Sequence, residues 1–168
     1  MFLAPEIPAS YALTQIGDGE AGVFYTLRVM REMVNRCKLD PRIRQAALNV
    51  AFLTPAHDEL SEVEAIFCFV RDHIRYTKDV YGVETLASPD KTLAMRVGDC
   101  DDMATLLAGL LESVGYPTRF VIEGYDEGQR WEHVYIEVCL NNTWVPLDPT
   151  EQVSMGWQPP DALIRWTE

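Results

Sequence analysis

Three residues of this 168-residue chain have types that could together break an amide bond: Cys100, His133 and Asp148. A thiolate attacks carbonyl carbon, an imidazole moves protons near neutral pH, and a carboxylate fixes the imidazole tautomer. Cys100 lies in Gly98-Asp99-Cys100-Asp101-Asp102, just before the apolar run Met103 to Leu111. Asp99 suits a helix N-cap, and Asp101 and Asp102 complement the positive end of a helix dipole. Ala104, Leu107, Leu111 and Val114 share one helical face, widened by Met103, Leu106 and Leu110; Gly115 and Pro117 then stop the helix. The spacing puts Cys100 at the N-terminus of a buried helix. There the dipole lowers a thiol pKa and the Cys100 N–H can meet an oxyanion. The three aspartates oppose this, since negative charge raises a thiol pKa. Their effect shrinks if they cap backbone N–H groups and point away from sulfur.

Strand register predicts the other two partners. Glu132 to Leu140 alternates, with Val134, Ile136, Val138 and Leu140 on one face. Asn141-Asn142 suits a two-residue hairpin turn, because Asn tolerates positive φ, and Thr143 to Leu147 returns. With that turn Asp148 falls opposite Tyr135, so His133 is its diagonal neighbour on one face, roughly 7–8 Å away at the backbone. Alternation sets His133 against the Val134/Ile136/Val138 face. The Cys100 helix is therefore expected to cover the face of Tyr135, Cys139 and Trp144, unless a bulge near Glu132 re-aims the histidine. Singly, a Cys is ordinarily core, a His structural and an Asp before proline a turn former. A helix-start Cys flanked by Gly and Asp fits a core role poorly, and the conjunction favours chemistry. A metal site from Cys100, His133 and the neighbouring aspartates matches no regular ligand spacing.

The supporting elements are mostly helical first and extended later. Val23, Leu27, Met30, Val34 and Cys37 recur at helical spacing between Gly22 and Lys38. Asp40-Pro41 restarts a helix striped by Ile43, Ala47, Val50 and Ala51, ended by Thr54-Pro55. A third helix is expected from about Ser61, with Ser61 as cap, through Ile66, Phe69, Val70 and Ile74 to about Tyr76. Residues 77–98 show no period and read as a long loop, and 1–20 as an extended arm. Thr118 to Glu123 reads as a strand and Asp126-Glu127-Gly128 as a turn. Cys37, Cys68 and Cys139 read as small buried hydrophobes, and the absence of C-x-x-C argues against a zinc ribbon or redox motif. Trp131, Trp144, Trp157 and Trp166 are read as packing residues in preference to a binding groove.

Composition narrows the classes. Hydrophobic residues are 48% and charged residues 24%, as in a folded domain. With 14 Lys and Arg against 26 Asp and Glu, the formal charge is −12, which repels nucleic acid and anionic lipid and favours a basic or amine-bearing partner. The apolar run is too short to span a bilayer, and the first residues lack the basic region of a signal peptide, so a soluble, cytoplasmic protein is expected.

At these residues the chain resembles the transglutaminase-like superfamily, with its papain-like cysteine-enzyme core. The likeness is carried by Gly98 to Ala104 opening a Leu-rich helix, Gly115-Tyr116-Pro117-Thr118-Arg119, His133 to Val138, Trp144 to Thr150, and Ile74-Arg75-Tyr76. It implies an α+β fold with N-terminal helices and a Cys-bearing helix on an antiparallel sheet. It implies Cys100 as nucleophile, His133 as general base and Asp148 as orienting carboxylate, with no cofactor and no metal. The implied activity is acyl transfer through a thioester on a protein or peptide substrate, with hydrolysis preferred over cross-linking; the alternative is a non-catalytic interaction module. Family members also hold the oxyanion with an upstream side chain; none matches here, and Tyr81 and Glu84 are merely nearby. Residues 58–150 form the expected core, 1–57 an arm with a helical extension, and 151–168 a tail packed on the core. The extension, with Asp40 to Arg44, and the tail are similar to small bacteriophage and prophage proteins, which implies phage structural partners and a virion-associated location.

Overall fold

The computed structural model describes residues 19–55, 58–78, 85–126, 128 and 130–168. Helices α1 (Glu20–Cys37), α2 (Pro41–Ala51) and α3 (Glu59–His73) come first, then β1 (Arg75–Tyr76), α4 (Pro89–Met95) and β2 (Val97–Gly98). Helix α5 (Cys100–Ser113) leads into β3 (Thr118–Gly124), β4 (His133–Leu140), β5 (Thr143–Leu147) and β6 (Ile164–Thr167). The antiparallel sheet has the order β5-β4-β3-β6, so the α+β class read from the sequence holds.

Helix α5 is the centre of the molecule. From Asp101 to Leu111 every residue is buried, which is why beyond the two aspartates the run carries apolar residues on all faces, with Thr105 as the one polar side chain. Val34, Ile43, Ile66, Phe67 and Val70 from α1, α2 and α3 join it in one core with Phe120, Ile122, Val134, Ile136 and Val138 from the sheet. The two helix starts read from Asp-cap chemistry are present. Asp40 accepts the Arg42 N–H ahead of Pro41, and Asp99 accepts the Asp102 N–H.

Four expectations need correction. The cap of α3 is Asp58, which accepts the Ser61 N–H and hydroxyl; Ser61 is already inside the helix. That helix ends at His73, because Arg75 and Tyr76 are drawn into parallel pairing with Val97 and Gly98. The long loop over 77–98 contains α4 and β2, elements too short for any period to show. Cys37, Cys68 and Cys139 are half-buried free thiols, Cys37 and Cys68 lying at the rim of the core. The expected arm lies mostly outside the described residues, as do Tyr81, Glu84 and part of the Asp126-Glu127-Gly128 turn.

The hairpin follows the reading closely. Asn141 and Asn142 have φ of 49° and 61°, and Leu140 pairs Thr143 while Ile136 pairs Leu147. Glu123 pairs His133 in regular register, so no bulge re-aims the histidine. The tail, for which no strand was predicted, forms β6 on the free edge of β3. Among the described residues no helix is long and apolar enough to cross a membrane.

Candidate active site

The β1–β2 pairing sets up the approach to Cys100. A side chain at Gly98 would put a Cβ 2.7 Å from the Asp102 Cβ, so only glycine lets the chain pass this close to the first turn of α5. Cys100 then opens the helix. The first N–H groups of a helix lack intrahelical partners. Two of these near donors are occupied: Asp102 N–H binds the Asp99 carboxylate at 3.2 Å, and Met103 N–H binds the Asp99 carbonyl at 3.0 Å.

The aspartates divide their work. Asp99 caps the helix, and Asp102 accepts the Ala87 N–H at 2.7 Å, tying the segment before α4 to the site. Asp101 faces the sulfur, its Oδ1 accepting the Cys100 thiol at 3.4 Å. Burial pushes the Cys100 thiol pKa up, the charges of Asp101 and Asp99 push it further, and a backbone hydrogen bond from Val134 pulls it down. These effects favour the thiol over the thiolate at Cys100, and the expected relief by outward-pointing carboxylates holds for only part of the cluster.

His133 and Asp148 meet as the register arithmetic required. His133 Nε2 lies 2.8 Å from Asp148 Oδ2, and the Asp148 side chain is fully enclosed. Its other oxygen accepts the Thr150 N–H at 3.0 Å and the Thr150 hydroxyl at 2.7 Å. Asp148 is thus held from both sides, and Nδ1 is the ring nitrogen left for other work.

The helix covers the opposite face of the sheet from the one that alternation predicts. α5 packs on the Val134/Ile136/Val138 face, not on the face of Tyr135 and Cys139. Cys100 still reaches the histidine's neighbourhood because it sits at the helix end, beside the Val134 N–H, where β4 begins. At the first residue of a strand, one step of backbone separates the two faces. Alternation governs side chains in the body of a sheet and constrains little at its rim.

Several residues of the site were missed. Tyr76 is close enough that its phenol pKa is raised, first by burial and then by electrostatic interaction with Cys100, Asp99, Asp101 and Glu151. Only its parallel pairing with Gly98, invisible in the sequence, places it there. Thr150 was legible two residues past Asp148, as the reach of an Asx turn. A cavity of about 350 Å³ opens beside the imidazole, lined by His133 and Asp148 together with Tyr125, Glu151, Trp157 and Asp161 among others. Trp157, expected as packing, therefore faces a groove.

Comparison with known proteins agrees with this geometry. Residues 46–149 match the family model of the transglutaminase-like superfamily. Among solved structures, a candidate cysteine protease from Cytophaga hutchinsonii aligns with a TM-score of 0.55 at 17% identity, over 76% of this chain and 50% of that one. LapG from Legionella pneumophila aligns with a TM-score of 0.55 at 17% identity, over 79% of this chain and 77% of that one. A stretch of 75 residues is 39% identical to dynein regulatory complex subunit 7 of Chlamydomonas reinhardtii, which covers 43% of this chain and only 6% of that protein. The structural likenesses are to the fold; the family match covers more than half of the sequence and includes Cys100, His133 and Asp148. The chain belongs to the transglutaminase-like superfamily.

Proposed function

We propose that this chain is a cysteine-dependent acyl-transfer enzyme that hydrolyses amide bonds of a protein or peptide. The observation that carries the reading is the enclosed Asp148 carboxylate held 2.8 Å from His133 Nε2 at the strand end that meets the Cys100 helix. A buried carboxylate in this position stabilises an imidazolium and leaves Nδ1 to exchange a proton with sulfur. As Cys100 Sγ bonds to the amide carbonyl carbon, its proton passes to His133. The oxyanion is received by the Cys100 N–H at the positive end of α5. Collapse breaks the C–N bond, the amine leaves with the proton from His133, and a thioester remains on Cys100. Water, deprotonated by His133, then releases the acid and restores the thiol.

Hydrolysis is preferred to amine transfer because diverting the thioester from water requires a dry acceptor channel, and the cavity at His133 is an open groove. With the thiol favoured over the thiolate, His133 acts as a true base in the first step. One observation favours a second reading, an interaction module that has kept the fold: burial, and after it the charges of Asp101 and Asp99, raise the Cys100 thiol pKa. The two readings separate on turnover. Incubated with a mixed peptide library and followed by mass spectrometry, the protein should cleave a subset of peptides and carry a mass adduct on Cys100. Cys100→Ala should lose both, by about four orders of magnitude in rate. Cleavage that persists in Cys100→Ala overturns the proposal.

A further inference from the structure

The family match ends at residue 149, yet much of the cavity beside His133 is built from chain beyond that point. Glu151, Trp157 and Asp161 line it from the tail, facing Tyr125 and Glu132 from the β3–β4 connection. What enters this cavity is therefore determined by a segment outside the matched core. We propose that the tail is a specificity wall, clasped to the sheet by Arg165 on Glu123, and that the groove it lines receives a basic side chain of the substrate.

The clasp is unusually well determined for an edge strand. Glu123 is fully buried and pairs across the ladder with both His133 and Arg165. Its carboxylate accepts Arg165 Nε at 2.6 Å, the Tyr135 hydroxyl at 2.8 Å and the Tyr125 hydroxyl at 3.0 Å. Arg165 also donates to Gln158 at 3.1 Å, inside the wall itself, and the Leu163 N–H binds the Gly124 carbonyl at 2.9 Å. One buried carboxylate thus fixes Tyr125 on one side of the cavity and, through Arg165, the Trp157–Asp161 segment on the other. Arg165 and Glu123 act as positioning residues.

The lining specifies the occupant. Two aromatic side chains and two prolines offer flat apolar surface, while Glu132, Glu151 and Asp161 bring negative charge; no lysine or arginine lines the cavity among the described residues. Glu132, Glu151 and Asp161 are all exposed, and Glu132 accepts the Tyr125 N–H at 3.4 Å. An aromatic face beside carboxylates is what a guanidinium or an ammonium on an aliphatic stem satisfies. An acidic side chain would meet repulsion, and a neutral one would gain only the apolar contacts.

The inference rests on the acyl-transfer reading for its substrate, but it is tested without catalysis. In Cys100→Ala protein, N-acetylarginine amide and its neutral counterpart N-acetylcitrulline amide are titrated while the Trp157 indole N–H is followed by NMR, with Trp157→Ala assigning the signal. Arginine amide should shift that signal and bind about tenfold tighter than citrulline amide, as a charge-assisted contact requires. Glu151→Gln with Asp161→Asn should erase the preference. Arg165→Ala should weaken it about fivefold, and Arg165→Lys should restore most of it. Equal affinity for the two amides, no shift with either, or a preference that survives the double substitution would overturn the inference. If Arg165→Ala does not fold, the double substitution decides. Absence of turnover in the wild type would count against the acyl-transfer reading alone and leave these binding outcomes intact.

Discussion

Two buried carboxylates lie close to His133, and they are compensated in opposite ways. Glu123 faces a permanent cation, Arg165, and two phenol hydroxyls that give it their hydrogen bonds and have their own pKa values raised, by burial first and by Glu123 next. Asp148 faces an imidazole whose charge can change, with Thr150 supplying two neutral donors on the other side. The first arrangement stores a charge; the second leaves one to be used. A buried anion with a fixed counter-ion stabilises a fold, whereas one with a titratable partner can follow a proton through a reaction.

Substitutions should separate the two. Asp148→Asn should act on rate, lowering acyl transfer about a thousandfold by presenting the wrong hydrogen-bond pattern to His133 Nε2, with unfolding little changed. Matched losses in rate and stability would collapse the distinction. Glu123→Gln should act on stability first, costing about 1–3 kcal/mol in urea unfolding by removing the counter-ion of Arg165 and loosening two buried phenols, with a much smaller effect on rate than Asp148→Asn. A rate loss as large as that of Asp148→Asn would make Glu123 part of the chemistry.

Glu112, at the other end of α5, serves as a remote control. Burial raises its pKa, but Lys38, Thr118 and Arg31 outweigh burial and hold the carboxyl below its ordinary value. A depressed folded-state pKa gives stability that is present above the unfolded value and lost as pH falls through the folded one. Glu112→Gln should therefore melt below the wild type at neutral pH, with the gap closing in acid and no change in the pH dependence of Cys100. A gap that widens in acid would reverse the sign.

The site was legible where local rules dominate. Asp99 as a cap, the apolar run behind it and two asparagines at positive φ are each decided within a few residues, and together they placed Cys100 on a helix end and His133 against Asp148. The helix-covered face is not given by periodicity, because at the strand's first residue the ladder no longer constrains what meets a side chain from beyond the rim. The placement of Tyr76 and of the Trp157–Asp161 wall beside the site is not legible in the sequence for a different reason. Both depend on pairing between distant segments, β1 with β2 and β6 with β3, and two- to four-residue strands carry too little pattern to announce their partners. Ser61 has the chemistry of a cap, but Asp58, three residues earlier, outcompetes it and takes Ser61 as its own donor.

The most direct test of the central claim is the alkylation rate of each cysteine by iodoacetamide across pH, read by peptide mass spectrometry in wild type and His133→Ala. If His133 draws the proton from a thiol that rests protonated, Cys100 should label at least about tenfold faster near neutral pH in the wild type than in His133→Ala. Cys37, whose pKa burial pushes up to about 12, together with Cys68 and Cys139, should be indifferent to the substitution. If Cys100 labels at the same rate with and without His133, the imidazole does not serve the sulfur, and the acyl-transfer account is contradicted.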